Sequence, residues 1–382
     1  MTYKIVHITT VHAPFDQRIF HRECYSLAQA GYQVTLLAHA DNDTIKDNVR
    51  IRSLGKPYRG QARLRLGDRK KRVMNALSAA LELDADVYHI HDPELISIAL
   101  TLKQKSKARV IYDAHEDNIG FMLQKRHLPA LMRPILAMIV GFYELRAART
   151  LDAVVTADEG VRIRFQRLGA AQTETIYNFP RLELFTAKHV PTQKFDLVYH
   201  GTVPRYHLEV CFEVDRILLK QGYQLRWLFL GRILDPAWAK QQIELLGDSD
   251  RIVLEEQVPH EAVAEKVLRA RIGIIPLPDL PKFHHNIPTK LFEYMALGMP
   301  VILSDLPPSR PFVQSGNFAI SVSPNNPYEY AQAIRQLIAS PDLRNQMGKE
   351  GRRLVESRYN WDAEVAKLLS LYGKLLCQDS SL

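Results

Sequence analysis

Short apolar runs of strand length recur along this chain between stretches of helical period, and that alternation restricts the fold more than any other feature. A parallel neighbour strand is reached only by a crossover, usually helical, so the rhythm is that of strand–helix units in parallel sheets. In the first half the spacing predicts strands at 4–10, 33–40, 49–54, 87–92, 108–114, 152–157 and 174–178, with helices between most of them. The helix at 17–30 stops at Gly31, and Asp158-Glu159-Gly160 opens another with its acids in the first turn. From Pro180 to Lys194 the periodicity fails and two prolines intervene; strands then resume at 195–200, 224–230, 251–255, 271–277, 300–304 and 318–322. The expected fold class is α/β, with two doubly wound units in tandem whose ligands bind beyond the carboxyl ends of the strands, in a cleft between the units.

Length agrees, because 382 residues exceed what one core sustains and two domains of roughly 180 residues are natural. The three cysteines, Cys24, Cys211 and Cys377, are too few and scattered for a disulfide framework or a zinc ribbon, which points to a reducing cytoplasm. The longest uncharged apolar run, Pro134 to Tyr143, has ten residues, so neither a signal peptide nor a membrane span is expected.

The net charge of +8 lies wholly in residues 1–190, with 28 Lys and Arg against 20 Asp and Glu; residues 191–382 hold 22 of each. Ten basic residues between Arg50 and Arg72 (Arg50, Arg52, Lys56, Arg59, Arg63, Arg65, Arg69, Lys70, Lys71 and Arg72) face one acid, Asp68. Such a stripe is either a solvated face or a contact for an anionic surface, with the inner face of a membrane the foremost partner. Nucleic acid is not expected, because the stripe has no interleaved aromatics and no binding motif. A second apolar stretch, Leu128 to Tyr143, has helical character and only Arg133 charged within it; burial in the core is the commoner reading, a membrane interface the other.

The most specific segment is Asn286-Ile-Pro-Thr-Lys-Leu-Phe-Glu-Tyr-Met-Ala-Leu-Gly-Met-Pro-Val-Ile302. With His12-Ala-Pro-Phe-Asp-Gln-Arg-Ile-Phe20, His91-Asp-Pro-Glu94, Tyr112-Asp-Ala-His-Glu116, Gly201 and Tyr359-Asn-Trp361 in that order, the chain resembles the family 4 glycosyltransferases of GT-B fold, especially their bacterial surface-polysaccharide branch. The resemblance implies two Rossmann-like doubly wound domains facing an interdomain cleft: an acceptor-binding domain at 1–188, a nucleotide-sugar-binding domain at 189–358, and a C-terminal helix at 359–382 crossing back to the first. It implies a retaining, metal-independent transfer from a nucleotide-diphosphate sugar to a glycan or lipid-linked acceptor, in surface polysaccharide biosynthesis, with no cofactor. The alternatives are a nucleotide-sugar 2-epimerase and a catalytically silent module that binds nucleotide or glycan.

Physical chemistry places residues in these roles. A helix N-terminus offers free amides and positive dipole to a diphosphate, so Thr289, Lys290 and Leu291 suit the donor, as does Asn286 before them. Glu293 accepts from vicinal hydroxyls, the part its counterpart plays on the donor ribose in the family. Where the wider family has a second Glu eight positions earlier this chain has His285, which is taken with His115 as a catalytic candidate. The family's Gly-Arg-x-x-x-Lys loop is here Gly201-Thr202, leaving Arg205 and then Arg232 as phosphate cations. Asp16, Arg18, Asp92 and Glu94 are candidates for acceptor or phosphate, with helix capping an equal reading for Asp16 and at least an equal one for Asp92 or Glu94. Of the two Asp-x-Asp matches, Asp41-Asn-Asp43 sits in a polar loop and Asp84-Ala-Asp86 precedes its strand, where a cleft at strand carboxyl ends is out of reach, and no metal is expected.

Overall fold

The structure, a computed structural model, describes residues 2–57, 66–125, 128–186, 192–247 and 250–377. Arg59, Arg63 and Arg65 of the basic stripe lie outside the described residues. The chain divides into two compact units, Met1–Asn178 with Asp362–Leu382, and Phe179–Trp361.

The first unit is built on eight strands: β1 (Lys4–Ile8), β2 (Gln33–Ala38), β3 (Thr44–Lys46), β4 (Val49–Ser53), β5 (Val87–Ile90), β6 (Arg109–Ala114), β7 (Ala153–Thr156) and β8 (Thr173–Thr175). Their order is β3-β4-β2-β1-β5-β6-β7-β8, parallel throughout except for β3, which runs antiparallel along β4. β3 is fully exposed and three residues long, so it carries no apolar pattern from which to be read. Strand order reverses between β1 and β5, where a doubly wound sheet opens its ligand crevice. Val6, Ile8, Tyr88, Ile90, Val110 and Tyr112 fill one core.

The expected helix at 17–30 begins as a π-helical turn over Ile19–Cys24 and becomes α-helical only at Tyr25–Gln29. Glu23 N donates to Arg18 O at 3.0 Å and His21 N to Asp16 O at 3.1 Å, each five residues back. The wider turn brings both Arg18 and Glu23 inward, and such insertions cluster at functional sites. The helix Trp361–Cys377 belongs to this unit: Tyr177 N donates to Glu364 Oε2 at 2.9 Å, and Leu368, Leu371 and Tyr372 are buried.

The second unit has six parallel strands, β9 (Phe195–Val203), β10 (Trp227–Ile233), β11 (Ile252–Glu255), β12 (Ala270–Ile275), β13 (Val301–Ser304) and β14 (Ala319–Val322), ordered β11-β10-β9-β12-β13-β14. The reversal falls between β9 and β12. At the end of β9, Gly201 pairs with Gly231 of β10, with φ of +103° and +136°. A Cβ on Gly231 would lie 2.0 Å from Gly201 O, so only glycine permits this approach.

Candidate functional site

In the first unit the neighbouring strands β1, β5 and β6 carry a cluster of polar side chains to their carboxyl ends. His7 pairs in register with His89; His91 lies two residues beyond it on the same face, as His115 lies two beyond Asp113. Their rings form a hydrogen-bonded chain. His115 Nε2 lies 3.2 Å from His91 Nδ1, His91 Nε2 2.8 Å from His7 Nδ1, His7 Nε2 3.3 Å from the Tyr372 hydroxyl, and that hydroxyl 2.7 Å from His89 Nδ1. Burial, reinforced by the neighbouring rings, holds His7 and His89 well below the usual histidine value, and burial outweighs Asp113 in lowering His91 to about 4.

Arg18 anchors the cluster, its Nε and Nη2 donating to the two Asp113 oxygens at 2.9 and 3.0 Å and its Nη1 to Ile176 O and Asn178 Oδ1. Burial opposes ionisation of Asp113, but Arg18 and His115 outweigh it and hold that carboxyl well below the carboxylate range. Glu23 shows the opposite balance: burial and the facing Asp113 push it well up, with Arg18 Nε 3.1 Å from its Oε1.

Asp92 organises the loop after β1. Its Oδ2 accepts from Thr9 Oγ1 at 2.9 Å and Thr10 N at 2.6 Å, while its Oδ1 lies 3.0 Å from His12 Nδ1. These donors overcome burial and lower Asp92 to about 2; the same pairing overcomes burial to raise His12. His12 and His115, 30 % and 17 % exposed and with ring centroids 5.1 Å apart, are where this cluster meets solvent.

Two sets of ligand-type atoms lie within 4.8 Å of one another: His7, Glu23, His89 and His91, and His91, Asp113 and His115. The sequence reading that set metals aside foresaw neither. As they stand, the ring nitrogens are turned on one another and on Tyr372, Glu23 Oε1 already faces Arg18 Nε at 3.1 Å, and His89 Nε2 is the ring nitrogen of the first set without a hydrogen bond.

This arrangement reassigns several candidates. Asp16 caps the following turn, accepting from Arg18 N at 2.8 Å and Ile19 N at 3.0 Å. Arg18 is buried in the cluster, too committed to meet an acceptor. Asp92 is buried and caps no helix, because its carboxylate is turned back to β1. Glu94 stays half-exposed with Oε1 accepting from Thr10 Oγ1 at 2.6 Å, and His115 stays accessible.

In the second unit the helix Thr289–Ala296 starts after Pro288 and brings Lys290, Glu293 and Tyr294 against β9. Tyr294 hydroxyl donates to Val198 O at 3.0 Å, and His200 Nε2 lies 2.6 Å from Glu293 Oε2. Burial raises a carboxyl, but the His200 bond dominates here and lowers Glu293 to about 2. Lys290 Nζ stands 5.0 Å over the Tyr199 ring, and a Cβ on Gly201 would come within 3.6 Å of it.

A cavity of about 230 Å³ opens beside Lys290, lined among others by Tyr199, Tyr206, His207, Phe283 and Asn286. His207 is 4 % exposed and neither ring nitrogen has a hydrogen-bond partner. Burial, with Lys290 and Lys282 nearby, lowers it to about 2, so it is a neutral donor and acceptor at the cavity wall. Lys282 Nζ donates to the Tyr206 hydroxyl at 2.7 Å.

The cations therefore differ from those expected. Arg205 is turned to Glu209, with Nε 2.9 Å from its Oε1, and stacks 4.4 Å over Trp238; Lys282, which sequence reasoning missed, stands by the cavity instead. Arg232 is exposed beside Thr202 on the paired strands. The amide of Leu291 donates to Pro288 O at 3.0 Å and its side chain is buried, so the helix start offers the amides of Thr289 and Lys290. His285 is exposed after the 3₁₀ turn Pro281–His284, and Asn286 lines the cavity.

Two parallel-sheet α/β units, each with its polar residues at the strand-order reversal, define the GT-B architecture. Residues 17–184 match the family described as Glycosyltransferase Family 4, and residues 182–354 that described as Glycosyl transferases group 1. The chain belongs to the family 4 type of GT-B glycosyltransferases. It is similar to sucrose-phosphate synthase from Thermosynechococcus elongatus, with a TM-score of 0.79 and 19 % identity over 98 % of this chain and 100 % of that one. It is similar also to Anabaena HepE, solved in complex with UDP-glucose, with a TM-score of 0.72 and 14 % identity over 97 % and 100 %. Among curated proteins, alpha-D-kanosaminyltransferase of Streptomyces kanamyceticus is 19 % identical over 65 % of this chain and 67 % of its own length. Spore coat protein SA of Bacillus subtilis (strain 168) is 36 % identical over 84 residues, 22 % of each. The chain thus spans between about a fifth and two thirds of the curated relatives it matches.

Proposed function

We propose that this protein is a retaining glycosyltransferase that moves a sugar from a nucleoside-diphosphate sugar to a glycan or lipid-linked acceptor, in the assembly of a surface polysaccharide in the cytoplasm. The observation that carries the reading is the second unit's cavity, lined by Lys290, Pro288 and a neutral, unpartnered His207, with Lys282 bonded to the lining Tyr206. As the bond to the sugar breaks, negative charge grows on the diphosphate; cations and helix amides fixed beforehand stabilise it without a metal. Glu293, held ionised by His200, is oriented to accept from the ribose hydroxyls through the oxygen that His200 leaves open.

In the first unit the accessible groups are His12, His115 and Glu94. We assign the acceptor to this unit and the sugar-contacting role to His115, whose Nε2 is fixed by Asp113 and His91. Retention by same-face attack follows from the family. That HepE is solved with UDP-glucose, and separately with UDP and glucose, supports a nucleotide donor.

The test is a thermal-shift screen against UDP, GDP, ADP and their sugar conjugates, with and without EDTA. A ligand bound only to the folded state raises the midpoint, so one nucleotide class is expected to stabilise the protein equally in both conditions. No shift with any of them overturns the reading, and a shift abolished by EDTA overturns its metal-independence.

A further inference from the structure

Nine of the exposed large apolar side chains come from one segment of the first unit, Phe121 to Tyr143, which contains the end of the helix Asn118–Gln124 and the start of the helix Met132–Thr150. Leu131 is 84 % exposed and Met138 69 %; Ile135, Met138 and Phe142 follow at helical spacing on one face. The opposite face, through Ala137, Glu144, Ala147 and Ala148, is buried against the unit. The two helices pack on each other, since a Cβ on Gly141 would come within 3.3 Å of Ile119 Cδ1, so their apolar residues form a ridge on an ordered surface. Scattered apolar residues are ordinary; a ridge of this continuity is not.

Its border is basic. From Asn118 to Tyr143 the chain has no Asp or Glu and three Lys or Arg. Lys125 stands 4.7 Å over the Phe121 ring, and burial together with the nearby Arg69 lowers its pKa. Arg69 begins the exposed run Arg69-Lys70-Lys71 at the start of the helix Leu66–Leu83, and its charge, with those of Glu94 and Glu116, is felt at Lys125 on the edge of the ridge. Two copies meeting through this face would bring like charges together, which disfavours self-association. Apolar side chains that insert and cations that meet phosphate headgroups are instead what an anionic bilayer surface selects. No helix among the described residues is long and apolar enough to cross a membrane, so the contact lies on the surface.

We propose that the ridge of Leu131, Ile135, Met138 and Phe142, with Arg69, Lys70 and Lys71 beside it, is the surface by which this protein binds anionic phospholipid bilayers. The proposal is independent of the donor reading, and Met138 and Phe142 have no part in the site described above.

The experiment is co-sedimentation of the full chain with vesicles of phosphatidylcholine alone and with about 30 % phosphatidylglycerol. Protein is expected to pellet with the anionic vesicles at least about tenfold more than with the neutral ones, and less as salt rises. Met138→Glu with Phe142→Glu, and separately Arg69→Gln with Lys70→Gln and Lys71→Gln, are each expected to reduce binding about tenfold or more. Leu131→Glu, at the most exposed position, serves if the double variant is unfolded by circular dichroism. Thermal shifts with nucleotide are measured alongside and are expected unchanged, so that failure of the membrane surface and failure of the donor site read out separately. Equal pelleting of wild type and variants overturns the proposal. So does a stable dimer, by light scattering, that Met138→Glu and Phe142→Glu convert to monomer without affecting lipid binding.

Discussion

Replacing Glu293 by Gln removes one titrating group from the second unit while keeping its shape and its capacity to bond His200. Glu293 is 9 % exposed, and its carboxyl lies at about 2 against an ordinary 4.5. A depressed carboxyl stabilises the folded state fully above its unfolded value and loses that contribution as pH falls through the folded one. The contribution is about 3 kcal/mol at pH 7 and about 2 kcal/mol at pH 3.5, at 1.36 kcal/mol for each pKa unit. Gln supplies no pH dependence here, so the stability difference between wild type and Glu293→Gln is expected to narrow by about 1 kcal/mol between pH 7 and 3.5. Urea unfolding followed by tryptophan fluorescence reports chiefly on this unit, because two of the three tryptophans, Trp227 and Trp238, lie inside it and Trp361 stands at its boundary, where its amide donates to Pro180 O. Parallel stability curves across this range would refute the assignment of Glu293 as an ionised, His200-held carboxylate.

Gly231→Ala sets a Cβ 2.0 Å from Gly201 O at a φ of +136°, so the strand ends must part; the fluorescence-detected midpoint is expected to fall by several degrees and nucleotide binding to weaken, and an unchanged midpoint refutes the close approach. Lys282→Ala is expected to weaken pyrophosphate and nucleoside-diphosphate binding by about tenfold in calorimetry, whereas Arg205→Ala, whose guanidinium is held by Glu209 and Trp238, changes it less than about twofold. The reverse ranking would return the phosphate to Arg205. His115→Ala is expected to lower turnover about a hundredfold with nucleotide affinity nearly intact; full activity removes His115 from the reaction.

The strands were legible because a parallel strand buried on both faces reads as an apolar run: β1, β2, β5, β6, β7 and β9 through β14 fall on predicted segments within a few residues. Lys290 and Glu293 were legible because helix geometry fixes their spacing within one local motif. Pairing across the sequence was not. That His7, His89 and Asp113 meet Arg18 and Tyr372 depends on strand order and on the return of the last helix, although the His89-x-His91 and Asp113-x-His115 alternations mark one face of each strand. The pairing of Arg205 with Glu209 and Trp238 was not legible either, because proximity in sequence to Gly201 does not decide where a long side chain finds its partner. The helix Met132–Thr150 defeats periodicity altogether, being apolar on both the face it buries and the face it exposes.

The charge immediately around each cluster of polar residues, as distinct from the net charge of its unit, gives a physical reason for the division of labour proposed above. Around the first unit's histidines stand Asp92, Asp113 and Glu94, with Arg18 bonded to Asp113, His12 beside Asp92 and Glu23 pushed toward its neutral form, while burial keeps His7, His89 and His91 from adding positive charge. Such a surrounding repels a diphosphate and suits hydroxyl groups, which donate to carboxylates and to neutral imidazole nitrogens. The second unit has the opposite balance, with Lys282 and Lys290 by a cavity whose histidine is neutral, and with its nearest acid, Glu293, already bonded to His200. In the reading proposed above an anionic leaving group is favoured there and an acceptor hydroxyl in the first unit, and exchanging the two roles would set the diphosphate against Asp92, Asp113 and Glu94.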